Sequence, residues 1–256
     1  MILPNVTHLY IYKPVSDFTV NIFEDDRLWS AKPERFNDPF DCDLEVTKGI
    51  TEEDVMDTIF ALHGRDRGKW PPKIANFVDS IFDSDGKFTP AERTRLDKEI
   101  QAVADDNKNS GVVCLSEVND SILMWSHYAQ NHTGICIEFA RTPDSPLGDS
   151  EICEPVKYSS QYPAIDFGKM LLNRDGHTMN LMMRYKADCW AYEKEWRVIT
   201  HKGDMQCNLV GNISRVIFGL RTPDHFRAKI QGLSDSKGIP TVQAVKAPME
   251  FKIIIP

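Results

Sequence analysis

Two carboxylates and a guanidinium are crowded into one short stretch, Trp190-Ala-Tyr-Glu-Lys-Glu-Trp-Arg-Val-Ile-Thr200. Read as a strand, its period of two sets Glu193, Glu195 and Arg197 on one face and Trp196 and Val198 on the other. Such a face can orient a polar substrate and stabilise positive charge that develops during reaction. The same residues also suit a cross-strand salt-bridge ladder on a solvated face, where each pair contributes little. A second stretch, Ser121-Ile-Leu-Met-Trp-Ser-His-Tyr-Ala-Gln130, spaces Trp125 and Tyr128 three apart on a helix. Rings so placed either stack on a planar ligand or fill the core. A third, Phe36-Asn-Asp-Pro-Phe-Asp41, holds Asn37 and Asp38 in a turn fixed by Pro39. Asp38, Asp41, Asp43 and Glu45 could instead hold a divalent cation on oxygen ligands, as a metal-dependent nuclease or phosphodiesterase requires.

Other metal signals fail on spacing. His127 and His132 do not have zinc spacing within one helix, and the six cysteines form no C-x-x-C pair, so no metal is assigned. Asp83-Ser-Asp-Gly86 imitates a calcium loop, but counting back from Gly86 puts Ile81 where the first carboxylate belongs. The chain has no P-loop, G-x-G-x-x-G or G-x-S-x-G, which removes the main support for kinase, ATPase, Rossmann dehydrogenase and α/β-hydrolase readings.

The elements that must position these residues follow from periodicity. Short aromatic and β-branched segments at His8–Lys13 and Arg27–Ala31 predict two strands, followed by a turn-rich loop from Glu34 to Asp43. Thr51 with Asp54 starts a helix carrying Val55, Ile59, Phe60 and Leu62. Ile74, Phe77, Val78, Ile81 and Phe82 form the stripe of a second helix. Thr89-Pro90 opens a third, with Leu96, Ile100 and Val103. Strands are predicted at Gly111–Ser116, Thr133–Phe139, Ile152–Tyr158, Glu195–Thr200, Ile213–Gly219, Thr241–Lys246 and Glu250–Ile255. Helices are predicted at Asp120–Gln130, at Ala164–Asp188 with a break at Arg174-Asp175-Gly176, and from Thr222 to Leu233. Strands with irregularly placed helices read as one α+β domain over residues 1–256, a mixed, mainly antiparallel sheet core with a helical insertion near residues 51–106.

Composition sets the class. The chain has 256 residues, 41% hydrophobic and 27% charged, with a net charge of −8. That is a globular composition, and the acidic balance argues against tight nonspecific phosphate-backbone binding. No window approaches the roughly 18 apolar residues of a membrane span, and Met1 to Tyr12 carries no export signal, so a cytoplasmic protein with reduced cysteines is expected.

Five stretches in order carry a family resemblance: Leu28-Trp-Ser-Ala-Lys-Pro-Glu-Arg-Phe-Asn-Asp-Pro-Phe-Asp41, Val113-Cys-Leu-Ser-Glu117, Leu123-Met-Trp-Ser-His-Tyr-Ala129, Gly134-Ile-Cys-Ile-Glu-Phe139 and Tyr192-Glu-Lys-Glu-Trp-Arg-Val198. Together they resemble a widespread bacterial family built on a domain of unknown function, across roughly Tyr10 to Gly219. The order of parts in turn resembles ADP-ribosyltransferases of the Arg-Ser-Glu or His-Tyr-Glu type, including their DNA-modifying toxin branch. The resemblance implies an ADP-ribosyltransferase-like fold, NAD as co-substrate, and an acceptor that is protein, nucleic acid or small molecule. It also implies a bacterial stress or phage-defence role.

Carried over residue by residue, the late carboxylate is Glu195, and Glu193-Lys-Glu195 resembles the E-x-E of the arginine-modifying group. Ser116 or Tyr128 takes the middle position. The first strand offers His8, Tyr10, Tyr12 and Lys13, without the Arg of the Arg-Ser-Glu type, and Tyr12 and Lys13 take the NAD-binding place. On this reading Glu195 bonds the ribose 2′-hydroxyl, Trp125 or Tyr128 stacks on nicotinamide, Asn37 or Asp38 lines the pocket mouth, Arg197 contacts the cofactor, and Glu193 orients or deprotonates the acceptor. Two alternatives stand beside it, a noncatalytic interaction module and the metal-dependent nuclease.

Overall fold

The computed structural model describes residues 6–42, 50–162 and 182–256. It is a mixed α+β fold built on a mainly antiparallel sheet. The strands are β1 (His8–Lys13), β2 (Arg27–Ser30), β3 (Gly111–Ser116), β4 (Ile135–Ala140), β5 (Cys153–Pro155), β6 (Lys157–Ser159), β7 (Tyr185–Ala187), β8 (Glu195–Thr200), β9 (Met205–Asn208), β10 (Ile213–Phe218), β11 (Thr241–Gln243), β12 (Val245–Lys246) and β13 (Ile253–Ile254). The described helices are α1 (Asp17–Asp25), α2 (Glu52–His63), α3 (Pro72–Ile81), α4 (Pro90–Asn109), α5 (Ile122–Tyr128) and α6 (Asp224–Ser236). The central sheet runs β11-β10-β4-β1-β3-β8-β5, and within it, among the described residues, β10 and β11 pair in parallel while the other neighbours are antiparallel.

Apolar side chains cover both faces of much of this sheet. Leu9, Ile11, Val113, Leu115, Trp196 and Val198 pack on one face against Val20, Ile22 and Phe23 of α1 and Phe226 and Ile230 of α6. Tyr12, Cys136 and Ile217 lie on the other, beneath Met124 and Trp125 of α5 and Ile253 of β13. The opposite-facing residues near β8 are polar, and they form the site described below.

One seam of the sheet is open. β1 pairs with β4 over its whole length, and β3 with β8, yet β1 meets β3 only at Tyr10 opposite Ser116. Further along β3, the main chain of Val112 bonds Ala31 instead, at 2.8 and 3.1 Å. The strands therefore diverge toward Lys13, whose position is fixed by close packing: a Cβ on Gly134 would sit 2.0 Å from the Lys13 carbonyl oxygen.

The helical segment forms as its caps require. Thr51 and Asp54 close a reciprocal capping box at α2, and the Thr89 hydroxyl accepts from the Glu92 amide at α4. Val55, Ile59, Trp70, Val78, Ile81, Leu96 and Val103 gather into a hydrophobic cluster of their own. The α3 stripe is narrower than the sequence predicts, since Phe77 is half-exposed and Phe82 lies past the helix end in extended conformation. Asp83 to Gly86 is a tight turn, with the Asp83 carboxylate accepting from the amides of Asp85 and Lys87.

Several boundaries differ for physical reasons. α1 is absent from the sequence reading, although Ser16 caps it through the Thr19 amide; the short aromatic segments around it read as strand. The strand predicted over Ile152–Tyr158 is two, because β5 pairs with β8 whereas β6 pairs in parallel with β7. Thr241–Lys246 likewise divides into β11 and β12, and Glu250–Ile255 contracts to β13. The helix predicted for 164–188 falls largely outside the described residues; its last part is corrected to a 3₁₀ turn, Met182–Arg184, and then β7. Among the described residues no helix is long and apolar enough to cross a membrane.

Candidate active site

A cavity of about 440 Å³ occupies the open seam, a volume within the range of small-molecule sites, roughly 300–1,000 Å³. Its walls come from β1, β3, the Arg35–Asn37 turn and α5, and Glu193 and Glu195 lie among its lining residues. Five charged side chains meet here. Arg197 grips Glu195 with Nε at 2.7 Å from Oε1 and Nη2 at 3.1 Å from Oε2, while Nη2 also reaches Asp41 Oδ2 at 2.6 Å. Its Nη1 donates to the Met183 carbonyl at 2.7 Å. Lys186 Nζ donates to Glu193 at 2.6 Å and to Glu195 at 2.9 Å, with Asp41 at 3.4 Å. Among the described residues this cluster sets three carboxylates against two cations, a surplus of one negative charge within the cluster when all are ionised, while Lys13 and Arg35 line the cavity beside it.

The solvated-ladder reading of these residues is overturned by burial: Arg197 is 0% exposed, Glu193 2% and Glu195 4%. Strand alternation is also not what brings Glu193 to Glu195. Glu193 ends a 3₁₀ turn, Asp188–Glu193, and Lys194 then adopts φ 43° before β8 begins at Glu195. The turn is anchored by Ser116, whose hydroxyl donates to the Glu193 carbonyl at 2.5 Å and accepts from the Val118 amide. β8 is anchored by Tyr158, whose hydroxyl accepts from the Glu195 amide at 2.7 Å.

The two glutamates are tuned in opposite directions. Burial pushes Glu195 up, but Arg197 and Lys186 outweigh it and hold the carboxyl at about 2. Burial also pushes Glu193 up, and there Lys186 and the Tyr128 hydroxyl, which donates to Oε1 at 2.5 Å, do not offset it. Such a divided pair is a common basis for assigning acid–base and electrostatic roles. It sets a pH dependence. A carboxyl held from 4.5 down to about 2 stabilises the fold above the upper value, and that contribution fades as pH falls through the interval. Glu193 acts with the opposite sign, opposing folding at neutral pH and relieving that cost as it takes a proton. Urea melts should show wild type losing on the order of 3 kcal/mol between pH 4.5 and pH 2 through Glu195, with most of this pH dependence absent in Glu195→Gln. An unchanged slope in the variant would contradict the assignment.

The remaining sequence candidates divide cleanly. Tyr12, Lys13, Asn37, Tyr128, Glu193 and Glu195 line the cavity. Trp125 does not: it is 0% exposed, edge-on to Tyr12 at 5.2 Å, with its indole N–H on the Asn119 carbonyl, so it is a core residue and not a stacking platform. Ser116 and Arg197 are buried behind the wall and position the lining groups. Asp38 also sits back from the mouth, accepting from the Phe40 amide at 2.9 Å and from the Trp190 indole at 2.7 Å. Among the proposed cation ligands, Asp38 and Asp41 are thus bonded to protein donors, and Asp43 and Glu45 lie outside the described residues.

Sequence reasoning missed Lys186, Cys114, Trp29, Phe36 and His127, all in the lining. Lys186 lay within a predicted helix and had no motif to mark it. Cys114 opens onto the cavity; the surrounding protein and the Glu195 carboxylate raise its thiol well above the ordinary range, so it stays protonated. All six cysteines are free. Lys13 differs from the other cations: no carboxylate pairs with it among the described residues, and burial lowers its ammonium.

Fold and site together define an α+β protein with a ligand-sized cavity set in a split sheet over a floor of buried charge. Residues 124–198 match a family described as "Protein of unknown function (DUF2971)". That segment contains Tyr128, Lys186, Glu193, Glu195 and Arg197, while Lys13, Asn37, Asp41 and Cys114 lie before it. No curated protein matches the chain, and no solved structure does.

Proposed function

We propose that the cavity binds NAD and that the protein is an ADP-ribosyltransferase-like enzyme, cleaving the bond between nicotinamide and ribose and passing the ADP-ribosyl group to an acceptor. The observation that carries this reading is the oppositely tuned Glu193–Glu195 pair on a cavity floor with surplus negative charge. Departure of nicotinamide leaves an oxocarbenium-like ribose, and a fixed anion nearby stabilises it, as in glycoside cleavage. Glu195 is the fixed anion. Arg197 and Lys186 occupy most of its acceptor sites, and the thiol of Cys114 faces the same cavity. A ribose hydroxyl entering the cavity takes a remaining site beside that thiol. Tyr128 offers its ring to the nicotinamide, and Lys13 supplies the charge for the diphosphate. Lys13 is half-buried and pairs with no carboxylate among the described residues, and an anionic ligand would offset the cost of withdrawing its ammonium from water.

Lys13→Gln tests the ligand's orientation. NAD affinity is expected to fall roughly tenfold or more, the loss of a charge-assisted hydrogen bond, whereas nicotinamide riboside, which lacks the diphosphate, binds both proteins alike in calorimetry. Equal NAD affinity in the two proteins would remove Lys13 from the site.

A second reading, a noncatalytic interaction module, rests on Met249 and Phe251, both fully exposed between β12 and β13. It requires Glu195→Gln to leave function intact while substitutions at Met249 and Phe251 abolish it.

A further inference from the structure

We propose that His127 is the general base of this site, its Nε2 taking the proton from the acceptor nucleophile, water included. The proposal rests on the NAD-cleaving reading above and adds the group that completes transfer. His127 stands on the last turn of α5, exposed, in the cavity lining. Its ring is framed by three others, Tyr128, Trp190 and Tyr192, at centroid distances of 6.0, 6.4 and 6.3 Å and steep angles of 82°, 71° and 70°. The frame is itself held: Asp38 accepts from the Trp190 indole, and Tyr128 donates to Glu193. Nδ1 lies 3.2 Å from the Tyr192 hydroxyl, and Nε2 has no hydrogen-bond partner among the described residues.

A base requires one ring nitrogen oriented by a neighbour and the other open to substrate; here Tyr192 stands at Nδ1, and Nε2 is without a partner among the described residues on a side chain that lines the cavity. In the tautomer whose Nδ1 proton is directed at the Tyr192 oxygen, Nε2 carries the lone pair. Glu193 is less suited to meet an acceptor, because it is 2% exposed and its two oxygens already accept from Tyr128 and Lys186. The step balances simply. The acceptor's O–H or N–H proton moves to Nε2, its lone pair bonds the anomeric carbon, and the bond to nicotinamide breaks with its electron pair neutralising the pyridinium.

The experiment follows nicotinamide release from NAD with water as acceptor, alongside calorimetric NAD affinity, in wild type, His127→Ala and Tyr192→Phe. The expected result is unchanged affinity with release slowed on the order of 100-fold in His127→Ala, partial recovery on adding imidazole, and a smaller loss in Tyr192→Phe. Release by His127→Ala at the wild-type rate would overturn the base role alone. Weakened binding with turnover retained would make His127 a wall of the cavity. No release by wild type under any condition would sink the underlying reading, and the base role with it.

Discussion

Replacing Arg197 with Met should cost about 3–5 kcal/mol of unfolding free energy, the usual penalty for removing one partner of a buried ion pair. The side chain is 0% exposed, and its guanidinium bonds Glu195, Asp41 and the Met183 carbonyl together. Methionine fills similar space without donors. It leaves Glu195 and Asp41 sharing Lys186, and the floor gains a second uncompensated negative charge. Urea unfolding at pH 7 measures the loss, and acidification should recover part of it, because Glu195 freed from Arg197 takes up a proton more readily. Arg197→Lys should fall between, since it keeps the charge but not the two-pronged grip on the carboxylate. A loss below about 1 kcal/mol for Arg197→Met would mean that the cluster behaves as a solvated pair.

Glu195→Gln should separate chemistry from binding. The amide keeps the shape of the carboxylate and removes the charge from the cavity floor. Nicotinamide release at saturating NAD is expected to fall by roughly 10²–10³-fold, the scale of losing one preorganised electrostatic contact in a transition state. NAD affinity should change little, because Lys13 and the aromatic walls are untouched. A loss confined to affinity would make Glu195 a binding residue, since only interactions stronger in the transition state alter turnover.

Much of this was legible from residue order. The aromatic and β-branched residues of His8–Lys13, the apolar run at Gly111–Ser116, and the caps at Thr51 and Thr89 located the sheet and the helical segment because local signals decided them. Glu193, Glu195 and Arg197 stood out because charges beside Trp196 and Val198 in a strand are unusual. What local pattern cannot carry is the partner that arrives from elsewhere in the chain. Lys186 sits in a three-residue strand too short to show a period, and its role exists only because β7 brings it against residues 193 and 195. Asp41 looked like part of an oxygen-rich turn until Arg197, 156 positions away, claimed it. Trp125 misled for the opposite reason: an aromatic at helical spacing reads the same whether it faces a ligand or the core. The open seam was invisible, since it depends on Val112 pairing with Ala31 and not with β1.

The most direct test is calorimetric titration of NAD into the wild-type protein, with free nicotinamide followed in the same samples over hours. Saturable binding with slow accumulation of nicotinamide is the predicted result. Absence of any heat at millimolar NAD would contradict the proposed activity and turn attention to the exposed surface at Met249 and Phe251.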